Sequence, residues 1–174
     1  MTHKGYTAVG LMEVLKAAGV PKGSFYHYFR SKEEFGQALL EEYFQEYIGR
    51  VDVVMAAQGT GAERLLGYLR YWAKTQAFDH PEEKCLVVKL GAEVCDLSED
   101  MRGVLEEGTA LIIQRIKRCV QQGMADGSIT STQDAETLAE SLYQLWLGAS
   151  LLVKVRNTTA AFDTALMTSE RLLA

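Results

Sequence analysis

The chain has 174 residues, 48% of them hydrophobic and 24% charged, and a formal net charge of −5. Two prolines and many Ala, Leu, Glu and Gln favour helices, and no run of β-branched residues at period two is long enough to suggest a sheet. The three cysteines exclude a fully paired disulfide framework, CxxC and His-rich spacings are absent, and no apolar run of about 18 residues could span a bilayer.

These features predict a soluble, cytoplasmic, all-α protein of one compact unit or a small module plus a larger one, with no metal and no cofactor. The charge is uneven. Residues 1–35 carry five basic against three acidic side chains, a net of +2, and the remainder carries 13 basic against 20 acidic, a net of −7. A basic end on an acidic body is the asymmetry expected where one end meets phosphate.

In chain order, Gly10–Ala18 reads GLMEVLKAA, with Leu11, Val14, Leu15 and Ala18 at helical spacing. Gly19 ends this helix as a C-cap, Val20 anchors a turn, and Pro21 suits the first turn of the next helix. Two short helices around a glycine turn make a helix-turn-helix, whose second helix enters the major groove. Lys22–Tyr28 is that recognition helix. Phe25, Tyr28 and Phe29 share one face and are expected to pack inward. Lys22, Ser24, Tyr26 and His27 then point outward, able to bond phosphate oxygens or base edges, and Gly23 allows close backbone approach. Ser31–Glu34 is a capping box that opens the next helix, and Lys32 in its first turn is placed to reach the DNA backbone. Aromatics at this spacing are also what an ordinary core uses.

The helix from Ser31 continues through Phe35, Leu39, Leu40, Tyr43, Phe44, Tyr47, Ile48, Val51 and Met55. Gln58–Gly61 breaks it, and Thr60–Glu63 is a second capping box. The next helix, about Ala62 to Phe78, turns Leu65, Leu66, Leu69, Trp72 and Ala73 to one side and stops at Asp79-His80-Pro81. Cys85–Cys95 reads as a short helix from Leu86, Lys89, Leu90 and Glu93. Ser98 caps a long helix to about Gly123, with Val104, Leu105, Ile112, Ile113, Ile116 and Val120 inward. Ala125–Ser128 is a turn, and Ser131–Asp134 opens a helix that is apolar on more than one face between Leu138 and Val155. Gly148, Ala149 and Ser150 are small enough for a close helix approach. The last helix, after Asn157-Thr158-Thr159, carries Phe162, Leu166, Met167 and Leu172.

Cys119 follows Ile112 and Ile116 at helical spacing and reads as a core residue. Cys95 precedes Asp96, which disfavours a thiolate. Cys85 lies at a helix start after Lys84, and both features favour the nucleophilic thiolate, while Glu82 and Glu83 oppose it. Lys154 is a single charge inside LLVKV. It is either a lysine snorkelling at an interface edge or a partner for Cys85. A thiol enzyme would need a His base. His3 and His27 belong to the DNA-binding end, and His80 has no evident orienting carboxylate, so the chain is not read as an enzyme.

GVPKGSFYHYFRSKEEF, residues 19–35, resembles the DNA-binding signature of the TetR family of transcriptional regulators. CLVVKLGAEVCDLSEDMR, residues 85–102, resembles the branch that represses N-ethylmaleimide reductase operons and senses electrophiles. The resemblance covers essentially the whole chain. It implies a helix-turn-helix DNA-binding domain over 1–31 and a helical regulatory and dimerisation domain over 32–174. It implies a homodimer through the last two helices, bound to a palindromic double-stranded operator and released by an electrophile or a small apolar ligand, with Cys85 at the position of the branch's sensing cysteine. On the functional reading of Lys154, its ammonium lies near Cys85, lowering the thiol pKa or trapping the oxidised sulfur. Two features depart from the family. Only Met1–Lys4 stand before Gly5-Tyr6, where the family has a full amphipathic helix, so the first helix is expected to be shortened. Val9, Gly10 and Met12 stand where many members have a Thr-Thr or Thr-Ser pair and an Arg, and no contacts are carried over to them. The short start also leaves open a dimer partner that does not itself bind DNA.

Overall fold

The computed structural model describes residues 5–77 and 85–174. Eight helices and no strand occur among the described residues, as the all-α reading requires. They are α1 (Leu11–Ala18), α2 (Lys22–Tyr28), α3 (Lys32–Met55), α4 (Gly61–Gln76), α5 (Leu86–Leu97), α6 (Glu99–Asp126), α7 (Ala135–Arg156) and α8 (Ala160–Leu173). No helix among them is long and apolar enough to cross a membrane. Two compact units emerge. The first holds the described residues of Met1–Glu46 and Cys85–Gly108, and the second those of Tyr47–Lys84 and Thr109–Ala174. Both α3 and α6 contribute to each unit.

In the first unit α1 ends as the sequence predicts. Gly19 adopts the left-handed conformation at φ 65°, and Val20 donates its N–H to the Leu15 carbonyl at 2.9 Å. Pro21 is extended and precedes α2 directly. Ser31 Oγ accepts from the Glu34 amide at 3.1 Å, but the Glu34 carboxylate accepts from the Arg30 amide at 2.6 Å, so this capping box is shifted by one residue. Phe25 is buried, and Phe25, Phe29 and Phe35 form a triangle with ring centroids 5.1–5.6 Å apart.

The expected inward Tyr28 is corrected here: it is 75% exposed. The helix stops at Tyr28, Phe29 turns extended (φ −130°), and the Phe29 ring folds back onto Phe25. Phe29 and Phe35 then fill the space a third inward aromatic would need. On α5 Leu90 and Val94 face inward, and at the start of α6 Ser98 Oγ accepts from the Met101 amide.

The second unit is built round two indoles. Trp72 on α4 and Trp146 on α7 are fully buried, 6.1 Å apart between ring centroids. Each indole N–H donates to a serine hydroxyl, Trp72 to Ser150 at 3.0 Å and Trp146 to Ser169 at 2.9 Å. Buried polar groups must be paired in this way, because an unpaired indole N–H would lose its water without compensation. Ser150 is therefore not a mere small residue for helix approach. It is buried with Ala149, while Gly148 is exposed. The Thr60–Glu63 capping box is complete, and the Gly61 and Ala62 amides donate to Asp126 Oδ2, in the last residue of α6, and to Ser128 Oγ just beyond it. Asp134 caps α7 through the Glu136 and Thr137 amides. The buried face of α8 is Phe162, Ala165, Ser169 and Leu173. Met167 is 53% exposed, and Leu166 and Leu172 are half-buried, because the Trp146–Ser169 bond and the Trp146–Phe162 stack fix the rotation of α8.

Candidate nucleic-acid interface and thiol site

The outward face of α2 presents Lys22, Gly23, Ser24, Tyr26 and His27, all exposed. The Lys22 ammonium lies 5.9 Å from the Tyr26 ring centroid, and the His27 ring meets Tyr28 edge-on at 5.1 Å. A Cβ added to Gly23 would meet nothing within 4 Å, so no packing demand inside the chain explains this glycine. Tyr28 and Arg30 extend the same exposed set. These groups donate and accept hydrogen bonds and carry positive charge, which is the chemistry of phosphate and base-edge contact.

Lys32, expected to point at the DNA backbone, has an internal task. It is half-buried, its ammonium donates to the Tyr6 carbonyl at 2.7 Å, and the same ammonium lies 4.3 Å from the Tyr6 ring centroid. The Tyr6 hydroxyl donates back to the Lys32 carbonyl at 2.7 Å. From the other side Glu93 of α5 accepts the Tyr6 amide at 3.0 Å and the Thr7 amide at 2.6 Å. Hydrogen bonds from Thr7 hold the Glu93 carboxyl below the usual range. Burial, with Glu33 nearby, pushes the Tyr6 phenol up to about 12. The segment just before the helix-turn-helix is thus clasped between α3 and α5.

Cys85 is the N-cap residue of α5 and is only 5% exposed. Burial pushes its thiol above the ordinary range. Its side chain makes no full capping hydrogen bond, yet the amides of Val88 and Val87 and the Tyr43 hydroxyl face the sulfur and pull the other way. Tyr43 also accepts from the Leu86 amide at 3.3 Å. Burial thus opposes the helix start that favours a thiolate here, and the thiol is raised within a ring of donors. None of the three cysteines is in a disulfide. Cys119 is buried, which raises its thiol, and Cys95 is exposed. Lys154 is exposed in the last turn of α7, beside exposed Leu151, Leu152 and Val155. No group of three or more His, Cys, Asp or Glu among the described residues is placed to hold a metal. The expectations resting on Met1–Lys4, Asp79-His80-Pro81, Glu82, Glu83 and Lys84 lie outside the described residues.

Residues 1–39 match the family model for bacterial regulatory proteins of the tetR family, and residues 61–168 match that for the tetracyclin repressor-like C-terminal domain. The chain belongs to the TetR family. It is 38% identical to the HTH-type transcriptional repressor NemR of Escherichia coli K12, over 99% of this chain and 87% of the relative. The crystal structure of the reduced form of E. coli NemR superposes with a TM-score of 0.90, covering 99% of this chain and 90% of that one. The transcriptional regulator AcuR of Cereibacter sphaeroides is also 38% identical, over 89% of this chain and 71% of its own. The chain is accordingly a DNA-binding transcriptional repressor of the TetR family and not an enzyme.

Within this TetR-family chain, five of the six residues expected at DNA stand together on one exposed face of α2, and Lys32 stands apart. Three residues that the structure places beside these contacts were not among the expected ones: Tyr28, Tyr6 and Glu93. Tyr28 was legible in principle, because a seven-residue helix with Phe25, Phe29 and Phe35 already packed has no room for another inward ring. Glu93 lies 86 and 87 positions from its partners, and no periodicity points across that span.

Proposed function

We propose that this repressor binds a palindromic operator as a homodimer and is released when an electrophile or oxidant modifies Cys85. The observation that carries the reading is one helix with two ends. Cys85 begins α5 in a buried ring of donors, and Glu93, about 12 Å further along the axis at 1.5 Å per residue, holds the segment that leads into the helix-turn-helix. Addition of the thiolate to an activated C=C forms a C–S bond, and the resulting carbanion takes a proton from water. The adduct cannot stay in the space the thiol fills, so the first turn of α5 must shift and Glu93 with it. Two states biased by one local change are what a repressor needs.

An oxidant would convert Cys85 to a sulfenic acid. An amine can then attack, expel water and form an S–N bond, by analogy with sulfenamide formation, and the family resemblance alone names Lys154 as that amine. On DNA, Lys22, Gly23, Ser24, Tyr26 and His27 carry the contacts, with Tyr28 added. The exposed Leu151, Leu152, Val155 and Met167 on α7 and α8 suit burial against a second copy.

The test is operator binding at fixed salt, before and after one equivalent of N-ethylmaleimide, in wild type and Cys85→Ser. Binding lost on alkylation only in wild type supports the thiol switch. Equal loss in both moves the sensor to Cys95, Cys119 or a pocket. A second reading, induction by a reversibly bound apolar ligand, is favoured by a cavity in the first unit.

A further inference from the structure

The first unit contains an apolar cavity of about 180 Å³. Its walls come from three directions. Tyr6 closes one side, Gly36, Leu39 and Leu40 of α3 form another, and α5 with the start of α6 supplies Leu86, Leu90, Val94 and Met101. The only polar side-chain atom among these residues, the Tyr6 hydroxyl, is engaged with the Lys32 carbonyl. Leu39 is 39% exposed, which gives the cavity a way in from solvent. Empty apolar cavities of roughly 150 Å³ stay dry and take up benzene-sized molecules, because water finds no hydrogen-bond partners there. A glycine at position 36 lets two of these walls pack closely against α3. A Cβ there would meet the Tyr6 ring at 2.7 Å and Met101 Sδ at 2.9 Å.

We propose that this cavity is an effector site for a small, uncharged, single-ring apolar ligand, separate from Cys85, which acts by displacing Tyr6. The inference rests on the second reading above and names its site. Tyr6 is the wall that can report occupancy. Its amide is held by Glu93, its carbonyl by the Lys32 ammonium and its hydroxyl by the Lys32 carbonyl, so a ring that pushes it outward disturbs all three bonds at once. Those bonds fix the chain just before α1. A ligand that prefers the displaced arrangement must weaken operator binding by the factor of its own preference. The lining offers no charged side chain to a ligand, so charged molecules and sugars are refused.

The probe is 4-fluorotoluene, followed by ¹⁹F NMR on the full chain, with operator affinity measured in parallel. Wild type and Cys85→Ser should both bind it saturably, and both should lose operator affinity by a factor within roughly 5- to 150-fold, the ordinary range of coupling. Leu90→Phe fills the cavity and should abolish both effects while still binding operator without the probe. Should Leu90→Phe fail to fold, Val94→Leu, a smaller filling change, should weaken probe binding. No saturable binding in wild type overturns the proposal. So does binding that survives both filling variants, or binding that leaves operator affinity unchanged. A failure here leaves alkylation at Cys85 untouched, and the Cys85→Ser comparison keeps the two mechanisms apart.

Discussion

Replacing Glu93 with Ala removes the only side chain of α5 that holds the Tyr6 and Thr7 amides. A hydrogen bond to a charged acceptor contributes about 1.5–3 kcal/mol when buried. Glu93 is half-buried and Thr7 exposed, so solvent screening reduces each bond to the order of 0.5–1 kcal/mol, or about 1–2 kcal/mol for the pair. The freed amides can turn to water, so no further penalty is added. If the clasp positions the helix-turn-helix, operator affinity falls by up to roughly 5- to 30-fold, since 1.4 kcal/mol is tenfold. Glu93→Gln keeps one acceptor oxygen and should fall between.

The pH dependence has a definite sign. The carboxyl is held below its usual range by Thr7, so its contribution is fully present above about pH 4.3, the ordinary glutamate value, and is lost only as pH drops through the lower folded value. The clasp is therefore intact throughout the neutral range. Fluorescence anisotropy on labelled operator at fixed salt measures the affinity, and amide hydrogen exchange at Tyr6 and Thr7 measures the clasp. Wild-type affinity together with wild-type exchange in Glu93→Ala would refute the reasoning.

Other consequences can be checked with simple assays. Ser150→Ala strands the buried Trp72 indole N–H and should cost about 1–3 kcal/mol, seen as a Tm lower by roughly 2–4 °C for each kcal/mol. Tyr28→Ala should leave Tm nearly unchanged, because the ring packs on no core, yet weaken operator binding in a gel-shift titration. Alkylation of Cys85, followed by mass spectrometry of its peptide, should keep accelerating above the ordinary thiol pKa of about 8.5, because burial holds the thiol protonated longer. A rate that levels off near neutral pH would mean a thiolate already formed in the resting protein.

The local grammar of the fold was readable from residues. Gly19, Thr60 with Glu63, and Ser98 each sit where their chemistry demands, and the recognition helix has the predicted limits, Lys22–Tyr28. These are interactions among residues three or four apart, which a linear pattern encodes. What escaped involves distance or competition. The serine partners of the two tryptophans lie 78 and 23 positions away, and a hydroxyl in an apolar stretch reads equally well as a small spacer. Tyr28 was misplaced because periodicity treats every aromatic on a stripe alike, whereas the end of α2 decides which ring folds back. The Cys85 reading weighed the helix terminus and neighbouring charges, but burial depends on the rest of the unit, far along the chain, and it raises the thiol.

Both tryptophans of the chain, Trp72 and Trp146, belong to the second unit. Indole emission is thus a one-sided witness. A denaturation curve followed by tryptophan fluorescence records the second unit alone, and the helix-turn-helix with its clasp could come apart without altering the signal. Tyrosine absorbance or circular dichroism sees both. A gap between the two midpoints would give the separate stability of the DNA-binding unit without any label attached to it.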